Sequence, residues 1–152
     1  MQRGCYRYTV CMIEAVIEDI AMSGEGTHFL VLLRTVEDEI LPIVIDHLQA
    51  MSLVAARMEE KPERPHTHDL MLSMIEMLGA TLERIEITDL KDGTFYGQVV
   101  LKRAGVEFDL DSRPSDALAL AARADCPVLI ARKVMEQHSY TDDELSGEGF
   151  EA

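Results

Sequence analysis

The chain predicts one α/β domain of the α+β kind, in which two β-β-β-α repeats form a mostly antiparallel or mixed sheet with helices packed on it. Three observations predict this. Apolar residues recur at period two in two groups of three runs, and a capped helical segment follows each group. Apolar residues also make up 47% of 152 residues, enough for a core without disulfide or metal staples. The domain is expected over residues 1–140, followed by an acidic tail over 141–152 that is expected to be disordered.

In the first group, Cys11, Ile13, Ala15 and Ile17 alternate with residues that include Glu14 and Glu18, the period of a half-buried strand. Ser23-Gly24-Glu25-Gly26 is a turn cluster, and the apolar run over 28–34 suits a buried strand. Glu37-Asp38-Glu39 turns the chain into a third strand over 40–45. Pro42 cannot donate to a ladder, which places it at a sheet edge or near the strand's beginning. Asp46 and Gln49 make a capping-box pair that opens a helix to about residue 58. Lys61-Pro62-Glu63-Arg64-Pro65 then breaks the chain, and a second helix covers about 68–78, with Thr67 as N-cap and Gly79 as its stop.

In the second group, Ile85 and Ile87 alternate with Arg84, Glu86 and Thr88, and Lys91-Asp92-Gly93 supplies an Asp-Gly hairpin turn. Phe95, Gly97, Val99 and Leu101 share a face of the next strand. Val106, Phe108 and Leu110 form the inner face of a third, whose other face carries Glu107, Asp109 and Asp111. An Ala-rich helix over about 115–124, a strand over 128–131 and a helical turn at 134–137 follow. Arg64-Pro65…Asp69-Leu70 echoes Arg113-Pro114…Asp116-Ala117 at a helix start, a second sign of repetition.

Charge narrows the function. There are 28 acidic against 14 basic residues, a net charge of −14. Grip on nucleic acid comes chiefly from Lys and Arg neutralising phosphates, so tight, salt-sensitive binding of DNA or RNA is disfavoured. An acidic nuclease remains open where divalent ions bridge carboxylates to phosphate. No apolar run approaches the roughly 20 residues of a membrane span, and residues 1–6 lack the charge and apolar pattern of an export signal. The three cysteines, Cys5, Cys11 and Cys126, form no Cys-x-x-Cys pair and suit free thiols in a cytoplasmic protein. No Ser-His-Asp or Cys-His arrangement and no phosphate-binding glycine loop is legible.

Five segments, in order, are Leu41-Pro42-Ile43-Val44-Ile45, Arg64-Pro65-His66-Thr67-His68-Asp69-Leu70, Leu78-Gly79-Ala80, Asp92-Gly93-Thr94-Phe95-Tyr96 and Asp111-Ser112-Arg113-Pro114-Ser115-Asp116-Ala117. Together they resemble the bifunctional nuclease domain family of bacteria and plants, over about residues 8–137. The resemblance implies hydrolysis of DNA and RNA and a homo-oligomer. Two departures stand out. Gln49 occupies a position where the family tends to carry an ionisable Glu, and His66 replaces another residue, so no role is carried to either.

The candidate catalytic residues are His68, Asp69, Asp111 and Asp116, with Arg64 and Arg113 as phosphate-binding candidates. Asp69 and Asp111 are the candidate ligands of a Mg or Mn ion. If the two Arg-Pro helix starts lie side by side, these groups converge as a metal-assisted phosphodiesterase needs. A structural reading stands beside this one. Thr67 caps the helix, Asp69 faces its positive end, His68 bonds nearby backbone, and Arg113 pairs with Asp111 or Asp69. Asp69 and Glu76 lie about 10 Å apart along their helix, too far to share one ion easily. The rest of that helix is apolar nearly all round, which suits either a sandwiched core helix or a homodimer contact. Two functions follow: a metal-assisted nuclease, or a non-enzymatic oligomeric binding or regulatory module.

Overall fold

A computed structural model describes residues 11–58, 60–141 and 143–144. The expected tail over 141–152 and the start of the chain therefore fall largely outside the described residues. The elements are β1 (Met12–Met22), β2 (Phe29–Thr35), β3 (Ile40–Ile45), α1 (His47–Arg57), α2 (Thr67–Met77), β4 (Thr81–Lys91), β5 (Thr94–Arg103), β6 (Val106–Ser112), α3 (Pro114–Ala124), β7 (Val128–Ala131) and α4 (Arg132–His138). They form one seven-stranded sheet in the order β3-β2-β1-β7-β4-β5-β6. Each group of three strands is an antiparallel meander. β7 joins them, antiparallel to β1 and parallel to β4.

The expected α+β architecture is thus present: each meander ends in a helix, α1 after β3 and α3 after β6, and the two helices pack on each other. Their neighbours in the sheet are β2 for α1, and β4 and β5 for α3. The core between them gathers Val31, Leu33, Leu41, Ile43, Leu53, Ile85, Ile87, Leu118, Leu120 and Ile130, all buried. α3 packs closely because its buried face is largely alanine, with Ala117, Ala119 and Ala121 beside the two leucines. No helix among the described residues is long and apolar enough to cross a membrane.

The differences from expectation have local causes. β1 runs on to Met22 because a register shift between Ile17 and Asp19 breaks the period-two pattern without ending the ladder. The cap of α2 is His66, whose backbone is extended, rather than Thr67. The Asp69 carboxylate reaches back to accept the His66 N–H at 2.7 Å, which fixes the helix start three residues before the acid. The Arg-Pro echo is not the structural repeat either: the counterpart of α3 is α1, and α2 lies outside the two repeats. Finally, β6 is a sheet edge, so Val106, Phe108 and Leu110 remain about half exposed although they share a side with core residues. Pro42, on the opposite edge strand β3, sits where a missing N–H is tolerated.

Candidate functional site

Two tight strand-to-helix junctions and one loop bring three helix starts together. At the first, β3 gives way to α1 through Asp46 alone. Asp46 Oδ1 accepts the Gln49 N–H at 2.8 Å, while Gln49 Oε1 accepts the Asp46 N–H at 2.9 Å. Gln49 therefore serves as a neutral capping partner. At the second junction, β6 turns into α3 through Arg113, with Pro114 as the first helical residue, where a missing N–H costs nothing. This turn passes so close to β5 that a Cβ on Gly97 would lie 3.0 Å from the Ser112 carbonyl oxygen and 3.3 Å from the Pro114 nitrogen. Gly97 is the residue that lets α3 start there.

The first turns of α1, α2 and α3 line one cavity of about 900 Å³. Asp46 and Gln49 enter it from α1, His66, Thr67 and His68 from α2, and Arg113, Ser115 and Asp116 from α3, with Asp111 at the end of β6. Leu48, Met51 and Met71 add apolar walls. Helix N-termini carry amide hydrogens without intrahelical partners and a partial positive charge, so three of them around one space favour an anion.

Within it, His68 is held from both sides. Its Nδ1 lies 2.8 Å from Ser52 Oγ of α1, and its Nε2 lies 3.1 Å from Asp116 Oδ1 of α3. The other Asp116 oxygen accepts from Arg113 Nε at 2.7 Å. Burial pushes the Asp116 carboxyl upward, but the Arg113 guanidinium and then His68 outweigh that and hold it below the usual carboxylate range. The hydrogen bond to Asp116 in turn raises the Arg113 pKa. A fixed carboxylate, an imidazole and an arginine lining an anion-favouring cavity can hold a phosphate and move a proton.

The cavity unites His68, Asp111, Asp116 and Arg113 among the residues expected from sequence. Asp69 and Arg64 are not part of it. Asp69 points toward a separate depression of about 460 Å³ that Arg123, Lys61 and Leu72 also line. Its Oδ1 accepts from Arg123 Nε at 2.7 Å. Burial raises the Asp69 pKa, yet the His66 amide and Arg123 together hold it below its ordinary value. Arg64 is exposed in the loop before α2 and lines neither space. Asp69 and Asp111 thus stand in different places, and no group of three or more His, Cys, Asp or Glu suited to a metal ion occurs among the described residues.

Two participants escaped the sequence reading. Ser52, His68 and Asp116 form a hydrogen-bonded Ser-His-Asp chain that no local motif announces. The one signal for Ser52 was its hydroxyl in the otherwise apolar run Ala50-Met51-Ser52-Leu53-Val54-Ala55-Ala56. Arg123, only 7% exposed, ties α3 to α2 through Asp69, and its signal was a basic residue in the last turn of a helix.

A family model described as Bifunctional nuclease domain matches residues 31–143. An uncharacterized protein of Mycobacterium tuberculosis is 35% identical over 100 residues, covering 66% of this chain and 59% of that protein. Bifunctional nuclease 1 of Oryza sativa subsp. japonica is 27% identical over 120 residues, 76% of this chain and 36% of its own length. Bifunctional nuclease 1 of Arabidopsis thaliana is 27% identical over 96 residues, 60% and 29% respectively. The chain spans less than two thirds of the length of each of these relatives.

Proposed function

The chain belongs to the bifunctional nuclease domain family, and on that premise we propose that it is a cytoplasmic nuclease cleaving phosphodiester bonds of DNA, RNA or both at the cavity between the three helix starts. The observation that carries the reading is His68 fixed between Ser52 and Asp116 beside Arg113, inside that cavity. Arg113 has five guanidinium donors, of which Nε serves Asp116, and the others suit phosphate oxygens. The first-turn amides add donors of the same polarity. His68 is the proton-transfer group, because one ring nitrogen of an imidazole donates while the other accepts and the ring lines the cavity.

Asp111 and Asp46 both line the cavity and are the carboxylates that would hold a Mg or Mn ion there. Such an ion would neutralise charge on the phosphate. It also bears on the net charge of −14, since an unassisted acidic surface repels nucleic acid.

The partner in this reading is a second copy of the chain. No residue of α2 is buried, and helices this short gain most of their stability from packing an apolar face. Leu70, Met71, Met74 and Met77 of α2 and Leu78 just after it are exposed, as are Val106, Phe108 and Leu110 of β6. Met71 and the end of β6 line the same cavity, so the two stretches adjoin. Eight large side chains about half exposed present on the order of 800 Å², the share each partner contributes to a standard interface.

The test is incubation of the protein with labelled single- and double-stranded DNA and RNA, in Mg²⁺, Mn²⁺ or chelator, beside His68→Ala and Asp111→Asn. Cleavage reduced about 100-fold in folded His68→Ala protein is expected. The net charge favours a second reading, an oligomeric module that binds a small anion without cleaving it. Absence of cleavage under every condition would decide for it.

A further inference from the structure

Ser52, His68 and Asp116 come from three different helices, and Oγ, Nδ1, Nε2 and Oδ1 form one chain with links of 2.8 and 3.1 Å. We propose that Ser52 is a nucleophile, with His68 as its general base and Asp116 as the residue that positions the ring, and that it forms a covalent serine phosphodiester with its substrate. The substrate class rests on the nuclease reading above; the reactivity of Ser52 does not.

Asp116, as a carboxylate, only accepts hydrogen bonds, so the neutral imidazole that bonds to it carries its proton on Nε2. The lone pair is then left on Nδ1, facing Ser52 Oγ. A carboxylate that selects the tautomer and a ring nitrogen that receives the hydroxyl proton are the working parts of serine-hydrolase triads. Here the two ring nitrogens have exchanged places. Ser73 offers a comparison within the same molecule: its hydroxyl donates to the Asp69 carbonyl four residues back, at 3.0 Å, the ordinary habit of a helical serine. Ser52 instead meets a ring nitrogen, and it lines the cavity where a substrate phosphate would sit. His68 is only 13% exposed, which keeps the ring from turning freely into water.

The step balances without a redox partner. Ser52 Oγ bonds to phosphorus, its proton passes to His68 Nδ1, and the bond from phosphorus to one ester oxygen breaks. The imidazolium returns that proton to the departing alkoxide. Water then attacks the serine-bound phosphorus, gives a proton to Nδ1, and Ser52 Oγ leaves and is reprotonated. The net reaction is hydrolysis of one phosphodiester bond. Arg113 and the first-turn amides face the phosphoryl oxygens on which charge accumulates.

An alkyl fluorophosphonate tests this directly, because serine displaces its fluoride to leave a stable phosphonyl ester. Intact mass of the unmutated protein should show one adduct, and peptide mapping should place it on Ser52. His68→Gln should slow labelling about 100-fold. Asp116→Asn should slow it at least about tenfold, with Asp116→Glu restoring part of the rate and Ser73→Ala leaving it unchanged. No adduct on Ser52 in the unmutated protein overturns the proposal, as does equal labelling of folded His68→Gln. Cleavage of nucleic acid by protein that does not label would leave the nuclease reading standing without Ser52. Labelling of Ser52 without such cleavage would do the reverse.

Discussion

At the scale of single residues, two acids each hold an arginine, Asp116 inside the cavity and Asp69 outside it. Asp116 joins Arg113 to His68, and Asp69 joins Arg123 to the start of α2. Both carboxyls lie below their ordinary pKa in the folded chain. A depressed folded pKa means stability present above the unfolded value, about 4 for aspartate, and lost as pH falls through the folded value. Acid should therefore weaken the protein below about pH 4 through both groups. Asp69→Asn should make that acid limb shallower and lower stability at neutral pH by about 1 kcal/mol, since Arg123 then lacks its charged partner. Urea melts at several pH values measure both. An unchanged acid slope in Asp69→Asn would remove the Arg123 pair from the account. Cys126 is a contrasting residue: burial pushes its thiol up to about 11, so it is a packing group at neutral pH and not a competing nucleophile.

Among elements, the junction between β6 and α3 decides whether the site exists. One residue, Arg113, separates strand from helix, and Gly97 on β5 leaves the space in which the turn passes. In Gly97→Ala the methyl group would meet backbone rather than a flexible side chain. The expected result is a loss of about 1–3 kcal/mol, with activity falling further than stability because Arg113 and Asp116 move with the turn. Thermal melts beside nuclease and labelling rates check this; full activity in the variant would mean that the junction tolerates the shift. The hairpin at Asp92-Gly93 shows the opposite case. Both residues have positive φ, 51° and 76°, the backbone an Asp-Gly turn permits, and it was legible from two letters.

For the whole molecule, what matters is which surfaces one chain leaves uncovered. The carboxylates of Asp109 and Asp111 along β6 discourage edge-to-edge pairing of sheets, so in the proposed dimer the second copy would dock through the apolar side of α2 and β6. Met74→Glu, at the middle of the exposed stripe on α2, should shift a dimer toward monomer by at least about tenfold in dissociation constant, the cost of burying an unpaired charge. Sedimentation velocity over a concentration series reads this. A unmutated chain that remains monomeric at high concentration would withdraw the homodimer.

The sequence by itself determined the two groups of three strands, the capping box at Asp46 and Gln49 and the family, because period, caps and turns are properties of residues close together in the chain. His68, Asp111, Asp116 and Arg113 were legible as site candidates for the same reason: they lie at helix starts and a strand end that short-range signals mark. Their partners were not. Ser52 meets His68 across 16 positions, His68 meets Asp116 across 48, and Asp69 meets Arg123 across 54. Only the packing of α1 and α2 against α3 decides those meetings. The same packing sends Asp69 to one depression and Asp111 to another, because helix position within the fold, not spacing in the chain, sets which carboxylates share a space.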